Sequence, residues 1–158
     1  LNIKNEDELR IAAQEIASSF QKNNFELGEF LIQPFISAKH EILIGGFRDP
    51  SFGPMIMFGS GGKYVEVLQD ICMKSAYMSE EDAEEMINQT KIGKILAGVR
   101  GETPVNLTNL KKIILSTAQM MLDNWNIIEF DFNPMVVAKN DSIHAVDVRI
   151  KINSKLKK

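Results

Sequence analysis

From Ile127 to Ile150 apolar and polar residues alternate with the period of a β-ribbon and not that of a helix. The turn-forming run Lys139-Asn140-Asp141-Ser142 divides the ribbon into two strands. In the first, Glu129, Asp131 and Asn133 fall on one face and Ile128, Phe130 and Phe132 on the other, because successive side chains alternate. In the second, alternation groups Ala145, Asp147 and Arg149 against His144, Val146, Val148 and Ile150. Asp147 shares a face with Asn133 only if paired positions add to an even number. That requires a loop of about three or five residues, or a bulge, whereas a two-residue Asn140-Asp141 turn separates them. The odd loop is the expectation.

Like charges set across a sheet repel by something under about 1 kcal/mol per pair. A face carrying Asp131, Asn133 and Asp147 therefore invites a cation, and an all-oxygen set suits hard Mg²⁺ better than zinc. A solvated outer face of a two-layer domain shows the same pattern. Pro134 favours the site, since it removes a ladder donor directly after Asn133 and so marks an edge or a bulge.

The whole chain of 158 residues is long enough for one core, and its 44% hydrophobic and 25% charged residues are those of a soluble globular protein. Eighteen basic against 21 acidic side chains leave a net charge of −3, which offers nucleic acid no electrostatic footprint. The basic end with Lys151, Lys155, Lys157 and Lys158 reads as solvated. Cys72, the single cysteine, cannot form an intrachain disulfide and fits a cytoplasmic chain with a buried thiol. No apolar run reaches membrane-spanning length, and the start at Leu1 without methionine points to a fragment or a processed piece.

Upstream, Asn5 and the acids after it precede Leu9, Ala12, Ala13, Ile16 and Phe20 at helical spacing, which predicts a helix over Glu6–Gln21. Glu29–Ile36 and His40–Arg48 read as antiparallel strands joined through Ser37-Ala38-Lys39, with Pro34 leaving neighbouring backbone groups free. A turn at Arg48–Pro54 leads into a buried strand Met55–Phe58, with Met55 and Met57 in the core. Gly59-Ser60-Gly61-Gly62-Lys63 offers backbone N–H groups to an anion, yet it is not a Walker loop, because Tyr64 follows Lys63 and Met57 stands where the first glycine belongs. Val65–Tyr77 reads as extended, Ser79-Glu80-Glu81-Asp82 caps an acidic helix, and Lys91–Leu96 is a further short one. Arg100 sits in a glycine loop as an anion clamp or a plain exposed residue. Leu107–Asp123 is an amphipathic helix.

Taken together, Gln33-Pro34-Phe35-Ile36, Glu41-Ile-Leu-Ile-Gly45, Arg48-Asp-Pro-Ser-Phe-Gly-Pro54, Met57-Phe-Gly-Ser-Gly-Gly62, Val65-Glu66-Val67, Leu96-Ala-Gly-Val-Arg-Gly101, Glu129-Phe-Asp-Phe-Asn-Pro134 and Val146-Asp-Val-Arg149 closely resemble the ATP-grasp domain of ADP-forming acyl-CoA (acetyl-CoA) synthetases. The chain is similar, more distantly, to the β chain of succinyl-CoA synthetase. The resemblance covers essentially the whole chain and implies its fold: an α/β (α+β type) ATP-grasp C-terminal subdomain, a mainly antiparallel sheet covered by helices. It further implies residues 1–27 as a helix left from the first ATP-grasp subdomain, 28–152 as the nucleotide- and metal-binding subdomain, and 153–158 as a basic tail.

The implied reaction interconverts acyl-CoA, ADP and phosphate with acid, CoA and ATP through a phosphorylated histidine. By position, Asn133 and Asp147 hold Mg²⁺ on the phosphates of ATP/ADP, and Asp131 faces the incoming phosphohistidine. Gln33, Pro34, Phe35 and Ile36 form the hinge that reads adenine, and Glu41 takes the ribose hydroxyls. Phosphoryl transfer depends on positioning and charge neutralisation, so the list suffices only when the other wall of the cleft is present. The chain departs from the family pattern at His40 and Ser60. Neither His40 nor His144 matches the transferred histidine, which places it on an α-type subunit or domain and makes the piece inactive alone, as part of a hetero-oligomer or multidomain chain. Other readings are an ATP-grasp region fused to a protein acyltransferase and a non-catalytic module for subunit association or nucleotide sensing.

Overall fold

The computed structural model describes residues 2–62 and 65–153. In chain order the elements are α1 (Glu6–Lys22), β1 (Ala38–Asp49), β2 (Gly53–Ser60), α2 (Val65–Leu68), β3 (Ile71–Ser75), α3 (Glu80–Gln89), α4 (Lys91–Leu96), α5 (Leu107–Asp123), β4 (Ile127–Ala138), β5 (Ile143–Ala145) and β6 (Val148–Ile152). They divide into two compact units, residues 1–36 and 37–158. Of the basic tail only Asn153 is described, and Lys63 of the glycine loop lies outside the described residues.

The first unit holds α1, which starts where the Asn5 side chain accepts the Glu8 N–H and three acids face the helix N-terminus. Residues 23–36 form no helix or strand. The pairing expected between Glu29–Ile36 and the next strand is absent for a topological reason: β1 is hydrogen-bonded on one side to β2 and on the other to β4, so it has no edge left to offer.

In the second unit the strands run in the order β3-β2-β1-β4-β5, with β6 also on β4, and every pairing is antiparallel. Asp49 closes the β1–β2 hairpin by accepting the Ser51 and Phe52 N–H groups at 2.8 and 2.9 Å. Helices α3, α4 and α5 cover one face of the sheet. Ile42, Ile44, Ile56 and Phe58 meet Met86, Ile87, Leu110, Ile114 and Met121 in a core whose members are almost fully buried. Each such side chain contributes about 1.5–3 kcal/mol. Alternation in β2 sends Ile56 and Phe58 to the helices, so Met55 and Met57, expected in the core, are half-buried on the other side. Val65–Leu68 is a helical turn where extended chain was expected. Cys72 is half-buried, not buried, with its Sγ 3.1 Å from Gln89 Oε1.

Two polar clusters pin the helices to the sheet. Asp70 is buried, and its carboxylate accepts the Ser60 hydroxyl and the Lys91 and Ile92 N–H groups that open α4. Ser60, one of the departures from the family pattern, thus has a structural partner. Arg48, at the end of β1, donates Nε to Ile127 O at 2.8 Å and Nη2 to Met121 O and Asn124 O, which ties the last turn of α5 to the start of β4. Arg48→Ala leaves those carbonyls without their charged donor and is expected to cost about 2–3 kcal/mol, read as a lower urea midpoint with unchanged slope.

Candidate active site

The face of the sheet away from the helices lines a cleft of about 780 Å³, a volume suited to a small ligand. Leu43, Phe47 and Met57 supply apolar lining and Asp131, Asn133 and Arg149 the polar groups. The ribbon that carries the polar set turns through Lys139-Asn140-Asp141, a three-residue loop. Asp141 N–H bonds Ala138 O, Asp141 takes φ 61°, and Ala138 N–H bonds Ser142 O. Paired positions of β4 with β5 and β6 therefore add to one even number, from Val137 with Ile143 down to Glu129 with Lys151. Asn133 and Asp147 stand opposite each other, with Asn133 N–H donating to Asp147 O at 3.2 Å.

Strict alternation nevertheless fails part-way along each strand of the ribbon. Between Ile42, opposite Met135, and Ile44, opposite Phe132, β1 has one residue where β4 has two, Asn133 and Pro134, joined by a cis peptide bond. The bulge exchanges the faces of β4: Phe130 and Phe132 point to the core before it, Met135 and Val137 after it. The second strand changes over as well, at the gap between β5 and β6, since Ile143 packs on the core while Arg149 lines the cleft. Hence Ala145 does not share a face with Asp147, contrary to the simple pattern. His144 stands opposite Val136, with its Nε2 2.7 Å from Ser142 Oγ. His40 is also outside the cleft, with Nε2 4.0 Å from Glu102 Oε2; burial, then Lys39, holds its pKa below the usual value against the pull of Glu102.

On the cleft face the ribbon forms three rungs. Glu129 faces Lys151, at 3.5 Å between Oε1 and Nζ; Asp131 faces Arg149; Asn133 is opposite Asp147, whose side chain, unlike the other five, is not among those lining the cleft. Arg149 Nη2 also lies 3.7 Å from Asp147 Oδ2, a carboxylate 49% exposed. Arg149 and Lys151 had no assigned role in the sequence, although the even register that pairs Asn133 with Asp147 also sets Arg149 against Asp131. On its other side Asp131 is opposite Gly45 of β1, where an added Cβ would come within 2.9 Å of Met57 Cε and 3.3 Å of Phe130 O.

Asp131 Oδ1 is buried without a hydrogen-bond partner among the described residues. Burial raises its carboxyl pKa, Arg149 pulls it down and the Asp147 charge raises it again. A buried acceptor left unpaired costs about 1–3 kcal/mol, and such an atom in a cleft is where a donor or a cation belongs. Asn133 Oδ1 accepts the Gly62 N–H at 2.8 Å, which folds the glycine loop against β4. The Glu41 side chain, from β1, lies against the same loop: at Gly62, with φ +77°, a Cβ would fall 1.9 Å from Glu41 Oε2. Gln33, Pro34, Phe35 and Ile36, expected as a hinge, belong to the first unit, where the first three are exposed and Ile36 is half-buried. No group of three or more His, Cys, Asp or Glu side chains suited to a metal occurs among the described residues. One amide oxygen and adjacent carboxylates fit Mg²⁺ all the same, because that ion keeps several waters and takes much of its shell from phosphate.

A family model described as the ATP-grasp domain matches residues 1–152. The chain belongs to the ATP-grasp family. This ATP-grasp chain is 41% identical over 152 residues to the β subunit of the ADP-forming acetate–CoA ligase I of Pyrococcus furiosus, a match covering 95% of the chain and 65% of that subunit. It is 37% identical over 153 residues to the ADP-forming 4-hydroxybutyrate–CoA ligase of Nitrosopumilus maritimus, of which it spans 22%. Among solved structures, ACD1 of Ca. Korarchaeum cryptofilum in complex with coenzyme A superposes with a TM-score of 0.84 at 38% identity, over 97% of this chain and 67% of that one. The acetyl-coenzyme A synthetase 1 of the same organism, with coenzyme A, Mg-AMPPCP and a phosphohistidine segment pointing towards the nucleotide-binding site, gives a TM-score of 0.76 at 37% identity, over 97% of this chain and 67% of that one. The ATP-grasp fold is thus the antiparallel, helix-covered sheet that the sequence implied.

Proposed function

We propose that this chain is the nucleotide-side part of an ADP-forming acyl-CoA (acetyl-CoA) synthetase of the cytoplasm, working with an α-type subunit or domain that carries the phosphohistidine. The phosphoryl group passes between that histidine and ADP. The N–P bond breaks, its electron pair returns to the imidazole, and a terminal oxygen of ADP forms the new P–O bond; the reverse step uses ATP. Acyl-CoA formation or cleavage is coupled to this transfer on the partner. Asn133 and Asp147 are the residues that would hold Mg²⁺, which supplies charge neutralisation on the nucleotide phosphates. Asp131 faces the phosphohistidine, Glu41 takes the ribose hydroxyls, and the Gln33–Ile36 backbone reads adenine.

One observation carries this reading: Asn133 and Asp147 are register partners beside a buried carboxylate oxygen of Asp131 that has no hydrogen-bond partner among the described residues. Calorimetric titration of the full chain with MgADP tests it. Asn133→Ala is expected to weaken binding about tenfold or more, in line with the loss of a group that positions a metal. Unchanged affinity would favour the second reading, a non-catalytic module for subunit association or nucleotide sensing. The feature that keeps that alternative in play is Asn133 Oδ1 already satisfied by Gly62.

A further inference from the structure

We propose that Arg149 is the resident counter-ion of Asp147 and competes with a divalent cation for that carboxylate; this rests on the reading of Asn133 and Asp147 as the residues toward which the metal is drawn. The argument is one of charge along the ribbon. At the outer rung Lys151 hydrogen-bonds Glu129 across the strands, and the two neutralise each other. The next two rungs hold two acids, Asp131 and Asp147, but only one cation, because Asn133 takes the place where a third basic residue would complete the pattern.

Arg149 is therefore shared. It stands directly across from Asp131 and reaches to within 3.7 Å of Asp147, on the same strand two residues back. No hydrogen bond fixes its guanidinium among the described residues, and 78% of the side chain is exposed, so changing partners requires no repacking. A cation drawn to Asp147 repels the guanidinium and leaves it to Asp131 and to anionic groups in the cleft that it lines. Arg149 thereby acts as a positioning residue, whose allegiance depends on whether the metal has arrived.

Competition has a signed consequence that an ordinary supporting residue does not have: deleting Arg149 should improve metal binding. The experiment uses Mn²⁺ alone, without nucleotide, on the full chain with its partner, with the free-ion electron paramagnetic resonance signal as readout. Arg149→Met is expected to bind Mn²⁺ about two- to fivefold more tightly, the range an exposed ion pair can supply. Arg149→Lys, which keeps the charge, and Lys151→Met, which removes one a rung away, are expected to stay near the wild-type affinity. Unchanged or weaker binding by Arg149→Met overturns the proposal, as does an equal gain from Lys151→Met, which would reduce the effect to the general field. Asp147→Asn tests the underlying reading separately: if it leaves Mn²⁺ affinity untouched, the metal assignment itself fails, whatever Arg149 does.

Discussion

Asp70→Ala is expected to lower the unfolding free energy by about 3 kcal/mol or more, because hydrogen bonds to a buried charged group are worth about 1.5–3 kcal/mol each and do not simply add. The carboxylate is 6% exposed and accepts Ser60 Oγ at 2.7 Å, Lys91 N–H at 2.6 Å and Ile92 N–H at 2.8 Å. Alanine would strand two backbone donors at the start of α4 and a hydroxyl at the end of β2, all in the packed layer between helices and sheet. Burial alone opposes ionisation of Asp70, but the bonds from Ser60, Lys91 and Ile92 outweigh it and leave the pKa below the usual value. The sign of the pH dependence follows. A depressed folded-state pKa gives stability that is complete above the ordinary carboxylate range and is lost as pH falls through the folded value. Urea midpoints of wild type and Asp70→Ala should therefore converge in acid. A gap that stayed constant down to low pH would mean that Asp70 acts by shape and not by charge.

Asp131→Asn is expected to do the opposite to stability and to cut function severely. On the proposed reading, phosphoryl exchange between nucleotide and phosphohistidine, measured with the partner present, should fall about a hundredfold, the size of effect seen when one charge-positioning group is removed from a site. The fold should be unharmed, or stabilised by up to about 1 kcal/mol, since the variant relieves a half-buried charge whose Oδ1 has no hydrogen-bond partner among the described residues. That pairing of outcomes is the signature of a group retained for chemistry at the expense of the resting protein. Joint loss of stability and activity would make Asp131 a structural residue, and unchanged activity would remove it from the reaction. Guanidinium unfolding and exchange of labelled phosphate, run on the same preparation, separate the three cases.

What could be seen in the sequence follows from which forces are local. The caps at Asn5 and Ser79 mark α1 and α3, and the apolar spacing of Leu107–Asp123 marks α5, because helix signals are carried by residues three and four apart. The three-residue turn and even register were likewise accessible, since parity is a property of the ribbon itself. Glu29–Ile36 misled because its strand pattern is genuine, while the availability of an edge on β1 depends on β4, almost a hundred residues further along the chain. Met57 misled because an apolar residue in a strand is as suited to lining a cleft as to filling a core, and only the helix layer decides between them. The face change at Asn133-Pro134 was announced by the proline as a bulge, but its effect on His144 and Ala145 appears only when β1 supplies one residue against two.

The hairpin loop Lys139-Asn140-Asp141 is a surface turn, the kind of place where chains usually accept insertions and deletions freely. Here it is about 20 Å along the strand from Asn133, at roughly 3.3 Å per residue, and yet its length sets the register that places Asp147 opposite Asn133. Losing a single residue there would change the parity of the pairing, part Asp147 from Asn133 and turn Ile143, which packs on the helix-covered core, to the other face. Tolerance at this surface loop is thus governed by a remote register, and a change in its length should weaken the packing of Ile143 as well as separate Asn133 from Asp147.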